Sequence, residues 1–361
     1  MNVLLAGGGT GGHLMPALAI AAALRELRSD VQPVLVGALR GVESEILPQR
    51  EFRYHLLPAE PIHRRAWWRN ARWPFLLPRL LGRCREVLQR ERPVFVVGTG
   101  GYAAGPILHM AVRRGIPLAL QEQNAYPGFT TRRLAPRAQQ IHLGFPEARA
   151  RIRCGPNAAV YEFGNPIVPP SSRTRDEARR ALGLPADVPV TLVMGGSQGA
   201  GAINHAVANA LADAAFGEMT LLWSTGHGTY EQFRAFAKPN RVLVRPFWDP
   251  IGDAYAAADL VVARAGAMTT AELAAWGLPS ILIPLPSAAA DHQTANARAL
   301  EMAGAATHLP EAALSAVVLA ERVRALLGER DRLARMAEAA RRRGRPDAAR
   351  AIAERLLLLV P

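Results

Sequence analysis

Asn2-Val3-Leu4-Leu5-Ala6-Gly7-Gly8-Gly9-Thr10-Gly11-Gly12-His13 and Val190-Thr191-Leu192-Val193-Met194-Gly195-Gly196-Ser197-Gln198-Gly199-Ala200 are the two stretches whose reading decides the fold. Each is a short apolar run, then a glycine loop, then a helical pattern: Met15–Arg28 after the first and Ala202–Ala215 after the second. Continuous apolar runs, as opposed to alternating ones, imply strands covered on both faces and hence parallel sheets. A strand–glycine loop–helix unit that occurs twice reads as the opening βα unit of two doubly wound domains.

Working outward, further strands are expected at Val34–Val36, Val94–Val97, Leu118–Leu120, Thr220–Trp223, Val242–Val244, Leu260–Val262 and Ser280–Ile283. Helices are expected at Thr270–Ala275 and Gln293–Ala303. Gly164-Asn165-Pro166 and Pro169-Pro170-Ser171-Ser172 form a turn-rich stretch suited to a linker. The expected division is therefore residues 1–163 and 164–342, each a Rossmann-like α/β domain with its glycine loops facing a cleft. The amphipathic, basic stretch from about Asp347 to Val360 could pack back on the first domain.

The chain has 361 residues, half of them hydrophobic, enough to bury a sizeable core in each of two domains. Cys84 and Cys154 are too few for a disulfide framework or a Cys-rich zinc site. The net charge of +13 expects anionic company, such as phosphate ligands, nucleic acid or acidic lipid headgroups. The N-terminus has no basic n-region, and the longest uncharged stretch, Leu273–Ala290, contains Pro279, Pro284 and Pro286. Neither a signal peptide nor a membrane span is expected, which points to a cytoplasmic chain able to lie on a membrane.

The first loop contains GxGxxG (Gly7, Gly9, Gly12), a dinucleotide pattern. The acid expected after the second strand is missing, since Val36 runs into Gly37-Ala38-Leu39-Arg40. Phosphate or developing negative charge at the helix start is the stronger reading. Gly98-Thr99-Gly100-Gly101-Tyr102 forms a second loop, either a simple turn or a place where the backbone nears an acceptor phosphate. The third loop contains GxSxG (Gly195, Ser197, Gly199), a nucleophile-elbow pattern. A hydrolase would need partners such as Asp249 or Asp291 with His292, which no local signature supports; a cradle for a diphosphate is the alternative.

His13, directly after a glycine loop, suits a general base near neutral pH, or a cap on its turn. Thr269-x-x-Glu272 fits a capping box, or else Glu272 accepts from sugar hydroxyls. Asp291-His292-Gln293 with Asn296 is either a helix start capped by Asp291 or a set of amides reading hydroxyls. The nine histidines form no metal-ligand pair, and there is no Asp-x-Asp, so neither metal nor cofactor is expected. Pro61–Arg85 carries seven arginines and no acid, interleaved with Trp67, Trp68, Trp73, Phe75 and leucines. That mixture suits an anionic bilayer surface better than nucleic acid, for which no motif occurs; a helix pair with a buried Trp/Leu face is the plainer alternative.

Taken together, GGTGGH (Gly8–His13), GxGGY with a following GP (Gly98–Pro106), EQN (Glu122–Asn124), GNP (Gly164–Pro166), GGSQGA (Gly195–Ala200), RxGAMTxxE (Arg264–Glu272) and HQTxNA (His292–Ala297) resemble the MurG family of peptidoglycan glycosyltransferases. The motifs stand in family order over nearly the whole chain. The resemblance implies a GT-B fold whose C-terminal helix (343–361) returns to the first domain. It implies transfer of N-acetylglucosamine from UDP-GlcNAc to undecaprenyl-pyrophosphoryl-MurNAc-pentapeptide (lipid I), giving lipid II with a β-1,4 linkage and inversion. It also implies independence from metal, and work at the cytoplasmic face of the membrane, with Arg64–Arg85 as the contact.

By resemblance, Thr10, Gly11 and Gly12 touch the donor sugar side or the acceptor diphosphate, and Asn124 the GlcNAc. Ser197 binds the donor diphosphate, Trp248 stands where the family contacts uracil, and Gln293 binds the transferred sugar. Ala267, Met268, Thr269, Thr270, Ala271 and Glu272 hold nucleotide and phosphates, with Glu272 on the ribose hydroxyls. His13 is the expected base and Glu122 a second candidate. Three positions depart from the family: Val168 replaces a common Arg, Gln121 a common His, and Ala265 a common Ser. The loss of that His shifts weight to His13.

Overall fold

The computed structural model describes residues 1–61, 67–196 and 198–360, apart from the side chains of Trp67 and Arg69. Two units are present: Met1–Val168 with Pro346–Pro361, and Pro169–Arg345. The first boundary falls inside the Pro-rich stretch and a few residues beyond the expected 163/164. The physical reason is Asn165, which is buried in the first unit and hydrogen-bonded to its strands.

The first unit holds seven strands: β1 (Asn2–Gly7), β2 (Gln32–Ala38), β3 (Arg53–Leu57), β4 (Phe95–Gly100), β5 (Leu118–Glu122), β6 (Gln140–Leu143) and β7 (Ala159–Tyr161). The second holds six: β8 (Val190–Met194), β9 (Thr220–Ser224), β10 (Val242–Arg245), β11 (Leu260–Ala263), β12 (Ser280–Leu282) and β13 (Ala306–His308). The spatial orders are β3-β2-β1-β4-β5-β6-β7 and β10-β9-β8-β11-β12-β13, every pairing parallel. Both sheets are doubly wound and reverse direction at the equivalent place, between β1 and β4 and between β8 and β11.

Central strands are apolar on both faces. Val3, Leu5 and Val97 pack on the helix Gly11–Leu27, while Leu4 and Val96 join Ile107 and Leu108 on the opposite side. The strands that sequence reading leaves out, β3, β6, β7 and β13, are short, and three of them carry polar residues: Arg53, His55, Gln140, His142 and His308. His142 is buried and stacks on Tyr161 at 5.3 Å, and burial pushes its imidazole down to about 3.

The helix Gly11–Leu27 begins four residues before its expected start, because the glycines form its first turn. The last helix, Ala348–Leu356, buries Ile352, Ala353 and Leu356 against it. Each large apolar side chain so buried contributes roughly 1.5–3 kcal/mol. Gln140 adds a hydrogen bond to the Arg355 carbonyl at 2.8 Å. That packing places the chain's end in its first unit. No helix among the described residues is long and apolar enough to cross a membrane.

Candidate active site

In doubly wound sheets a ligand binds at the carboxyl ends of the strands where the order reverses. Here those ends carry the motifs: the first glycine loop after β1 and the second after β4; the third after β8 and Arg264–Glu272 after β11.

In the first unit the two loops interlock. The Gly8 amide donates to the Gly100 carbonyl at 3.3 Å. A Cβ on Gly101, which has φ +85°, would lie 1.8 Å from the Gly8 oxygen. Internal packing therefore accounts for the glycines at 98, 100 and 101 in the second loop. Gly11 and Gly12 differ: a Cβ on Gly11 meets nothing within 4 Å, and one on Gly12 only the Thr10 hydroxyl at 3.7 Å. Among the described residues, no atom demands glycine there. Thr10 is exposed, in extended conformation as the helix cap, and its side chain caps no amide.

His13 stands on the first turn of that helix. Its Nδ1 lies 3.0 Å from the Thr99 carbonyl and 3.1 Å from Gln123 Oε1. Gln123 Nε2 donates to the Thr99 carbonyl at 2.8 Å, to the Gln121 carbonyl at 3.0 Å and to Gln121 Oε1. Gln121 Nε2 donates to Asn165 Oδ1 at 3.0 Å, and Asn165 Nδ2 to the Gln123 carbonyl at 2.9 Å. All three amides are buried. Sequence reading found these residues only as motif members or departures; their joint geometry carries no sequence signal.

Glu122 is buried and committed locally. Its Oε1 accepts from the Asn124 amide at 3.1 Å and from Asn124 Nδ2 at 3.3 Å, and its Oε2 accepts from the Gly128 amide at 2.9 Å. A carboxylate so engaged shapes the turn that carries Asn124.

Glu43 was absent from the expected site. It is fully buried behind the first loop and accepts the Gly9 amide on Oε1, while Oε2 has no partner among the described residues. Cβ atoms on Gly8, Gly37 or Gly41 would each collide with it. Burial pushes its carboxyl above the usual carboxylate range, despite the Gly9 hydrogen bond.

In the second unit, Gly266 is the cap of the helix Ala267–Trp276 and Thr269 lies inside it, so the capping box does not form. Glu272 Oε2 accepts the Tyr255 hydroxyl at 2.8 Å. Burial raises the Glu272 carboxyl above its ordinary range, against the lowering effect of that hydrogen bond. Ala267 and Thr270 are buried, the latter turning its hydroxyl to the Gly266 and Ala267 carbonyls at 3.1 and 3.0 Å, while Met268, Thr269 and Ala271 are half-buried. Arg264 braces the Ile283 and Pro284 carbonyls and pairs with Glu311.

Gln293 Oε1 accepts the Leu285 amide at 2.9 Å, which makes its NH2 group the donor end of the side chain. Asp291 does not cap its helix; it accepts the Thr294 hydroxyl at 2.6 Å. Trp248 is buried with Arg245 over its ring at 4.2 Å, and its indole N–H has no partner among the described residues. Ser197 lies outside the described residues, as do Arg64 and Arg65.

Two doubly wound units with glycine loops at both reversal points define a GT-B glycosyltransferase, and the comparisons agree. Residues 3–143 match the glycosyltransferase family 28 N-terminal domain and residues 190–352 its C-terminal domain. A Salinibacter ruber protein named UDP-N-acetylglucosamine–N-acetylmuramyl-(pentapeptide) pyrophosphoryl-undecaprenol N-acetylglucosamine transferase is 45% identical, over 99% of this chain and 96% of its own. A Moorella thermoacetica protein of the same name is 39% identical, over 100% and 99%. The crystal structure of Acinetobacter baumannii MurG superposes with a TM-score of 0.78 at 27% identity, covering 99% of each chain. A likeness of fold alone extends to Phytolacca americana UGT2, at 17% identity and a TM-score of 0.69, covering 99% and 97%. The chain belongs to the MurG family of glycosyltransferases.

Proposed function

We propose that this chain transfers N-acetylglucosamine from UDP-GlcNAc to the MurNAc 4-hydroxyl of lipid I, forming the β-1,4 linkage of lipid II in peptidoglycan synthesis. The observation that carries this reading is the full-length identity to transferases of that name, with the family motifs falling at both reversal points. His13 takes the proton of the 4-hydroxyl as its oxygen attacks the anomeric carbon. The bond to the diphosphate breaks on the opposite face, and UDP leaves with the electron pair. Such a base contributes ~10²–10⁴-fold.

The second unit holds the donor. Amides at the starts of the helices Gly201–Ala212 and Ala267–Trp276, with Ser197, stabilise the diphosphate as its charge grows. Tyr255 holds one oxygen of Glu272 and turns the carboxylate toward the ribose hydroxyls. Gln293 donates to a hydroxyl of the transferred sugar, and Asn124 contacts the same sugar from the first unit. The open space at Gly11 and Gly12 admits the acceptor diphosphate or the donor sugar.

Membrane contact belongs to the helix Trp73–Glu91. Its Leu80, Cys84, Val87 and Leu88 are buried, so the expected Trp/Leu core face is real but narrow. Phe75, 81% exposed, with Trp68, Leu77, Leu81, Arg72, Arg79 and Arg85, forms an apolar and basic outer surface. Phe75→Glu is expected to cut binding to vesicles containing acidic lipid while leaving transfer to a soluble acceptor intact; unchanged, salt-sensitive vesicle binding would place the contact elsewhere.

The reaction is tested by labelled GlcNAc transfer to a short-chain lipid I analogue with EDTA present. A disaccharide product is expected. Binding of UDP-GlcNAc without transfer would remove the acceptor assignment and call for a diacylglycerol or other hydroxyl acceptor.

A further inference from the structure

From the geometry we infer that Gln123, anchored by Gln121 and Asn165, fixes the tautomer of His13 and leaves Nε2 as the basic nitrogen. The inference rests on the reading of His13 as the base and deepens it by naming its positioning residues.

The orientation of each amide follows from one group that can only accept, the main-chain carbonyl of Gln123. The Asn165 atom at 2.9 Å from it must be the NH2 nitrogen. Asn165 therefore turns its oxygen to Gln121, and the Gln121 atom at 3.0 Å must be nitrogen. Gln121 then presents its oxygen to Gln123, whose NH2 meets that oxygen and two main-chain carbonyls. The opposite orientation of Gln123 would set its oxygen against three acceptors, in a buried place where each unmade bond costs about 1–3 kcal/mol. Gln123 Oε1 thus faces His13 Nδ1.

At Nδ1 the two partners described, the Thr99 carbonyl and Gln123 Oε1, can only accept. The neutral imidazole must carry its proton there, and its lone pair belongs to Nε2. Gly100 permits the arrangement, since a Cβ on it would lie 2.9 Å from Nδ1. Glu122, beside Gln123 in the chain, directs its carboxylate to Asn124 and Gly128. The partner that orients the base is thus a neutral amide. A carboxylate in its place would hold the imidazolium and raise the pH at which the base becomes free.

The test begins with the unaltered chain, so it does not depend on any variant folding. Two-bond ¹⁵N–¹H correlation of ¹⁵N-histidine protein, with His13→Ala to assign the signals, reports which nitrogen carries the proton. Protonated Nδ1 is expected, and a proton on Nε2 at neutral pH overturns the inference. Near-isosteric Gln123→Glu is expected to move the acid limb of the rate profile up by about one to three pH units. Gln123→Leu is expected to lower kcat about 10–100-fold, with donor KM unchanged. An unmoved acid limb in Gln123→Glu overturns the positioning role. Full turnover in His13→Ala, with Nδ1 still protonated in the unaltered chain, defeats the base assignment and leaves the tautomer assignment standing.

Discussion

The two units repeat one topology and load it differently. Each interlocks two glycine loops at the carboxyl ends of neighbouring strands: Gly8 with Gly100 and Gly101 across the β1/β4 reversal in the first, and Gly199 with Gly226 across β8 and β9, on the side of β8 away from its reversal, in the second, where a Cβ on Gly226 would lie 2.3 Å from the Gly199 nitrogen. Each backs them with buried amides. In the second unit Asn204 bonds the Thr225 carbonyl at 2.8 Å and accepts from Trp223 at 3.0 Å, so that chain ends on an indole. In the first unit the amide chain ends on the imidazole of His13. On the proposed reading, a shared scaffold would support proton transfer in one half and ligand holding in the other, with one side chain at the end of a buried network making the difference.

The sharpest way to break this comparison is at the glycines. Gly101→Ala forces a side chain at φ +85° onto the Gly8 carbonyl and is expected to cost about 3 kcal/mol or more, a large part of a domain's stability. Gly11→Ala, in open space, is expected to leave the melting temperature nearly unchanged and to reduce transfer. Equal thermal loss in both would mean that Gly11 serves packing as Gly101 does.

Next is the donor side. Glu272→Gln is expected to raise the KM for UDP-GlcNAc about 10-fold with a smaller change in kcat, the signature of lost binding. Because burial raises the Glu272 carboxyl, donor affinity should start to fall at a higher pH than an ordinary glutamate would give. A kcat effect without a KM effect would move Glu272 from holding to chemistry.

The smallest effect is a slope. Burial raises the folded-state pKa of Glu43 above its unfolded value. Its contribution to stability is therefore complete below the unfolded pKa and is lost as pH rises through the folded one. Glu43→Gln cannot titrate, so the variant should gain on the unaltered chain as pH rises from 4 to 7 in denaturant melts. Parallel profiles would mean that Glu43 is no more protonated in the fold than in the unfolded chain.

Much of the fold was legible because central parallel strands are continuous apolar runs: Asn2–Ala6 and Val190–Met194 read directly. Strands β3, β6, β7 and β13 did not, since they are short and most of them mix polar with apolar residues. Motif positions pointed to the candidate site as well, because the glycine loops after β1, β4 and β8 fall at the strand ends where the order reverses. The rest depends on distance in the chain. Nothing local tells that Asn165 closes a hydrogen-bonded chain with Gln121 and Gln123, that Glu43 lies behind Gly8, or that Tyr255 holds Glu272. Thr269-x-x-Glu272 shows the converse: a local pattern for a capping box is overruled because the helix starts three residues before the expected Thr270, at Ala267.

The most direct measurement is on His13→Ala, with UDP binding and transfer of labelled GlcNAc to a lipid I analogue measured on one preparation. The division of labour predicts unchanged UDP affinity and a ~10²–10⁴-fold fall in transfer. Near-normal transfer, or loss of UDP affinity in step with transfer, would contradict it.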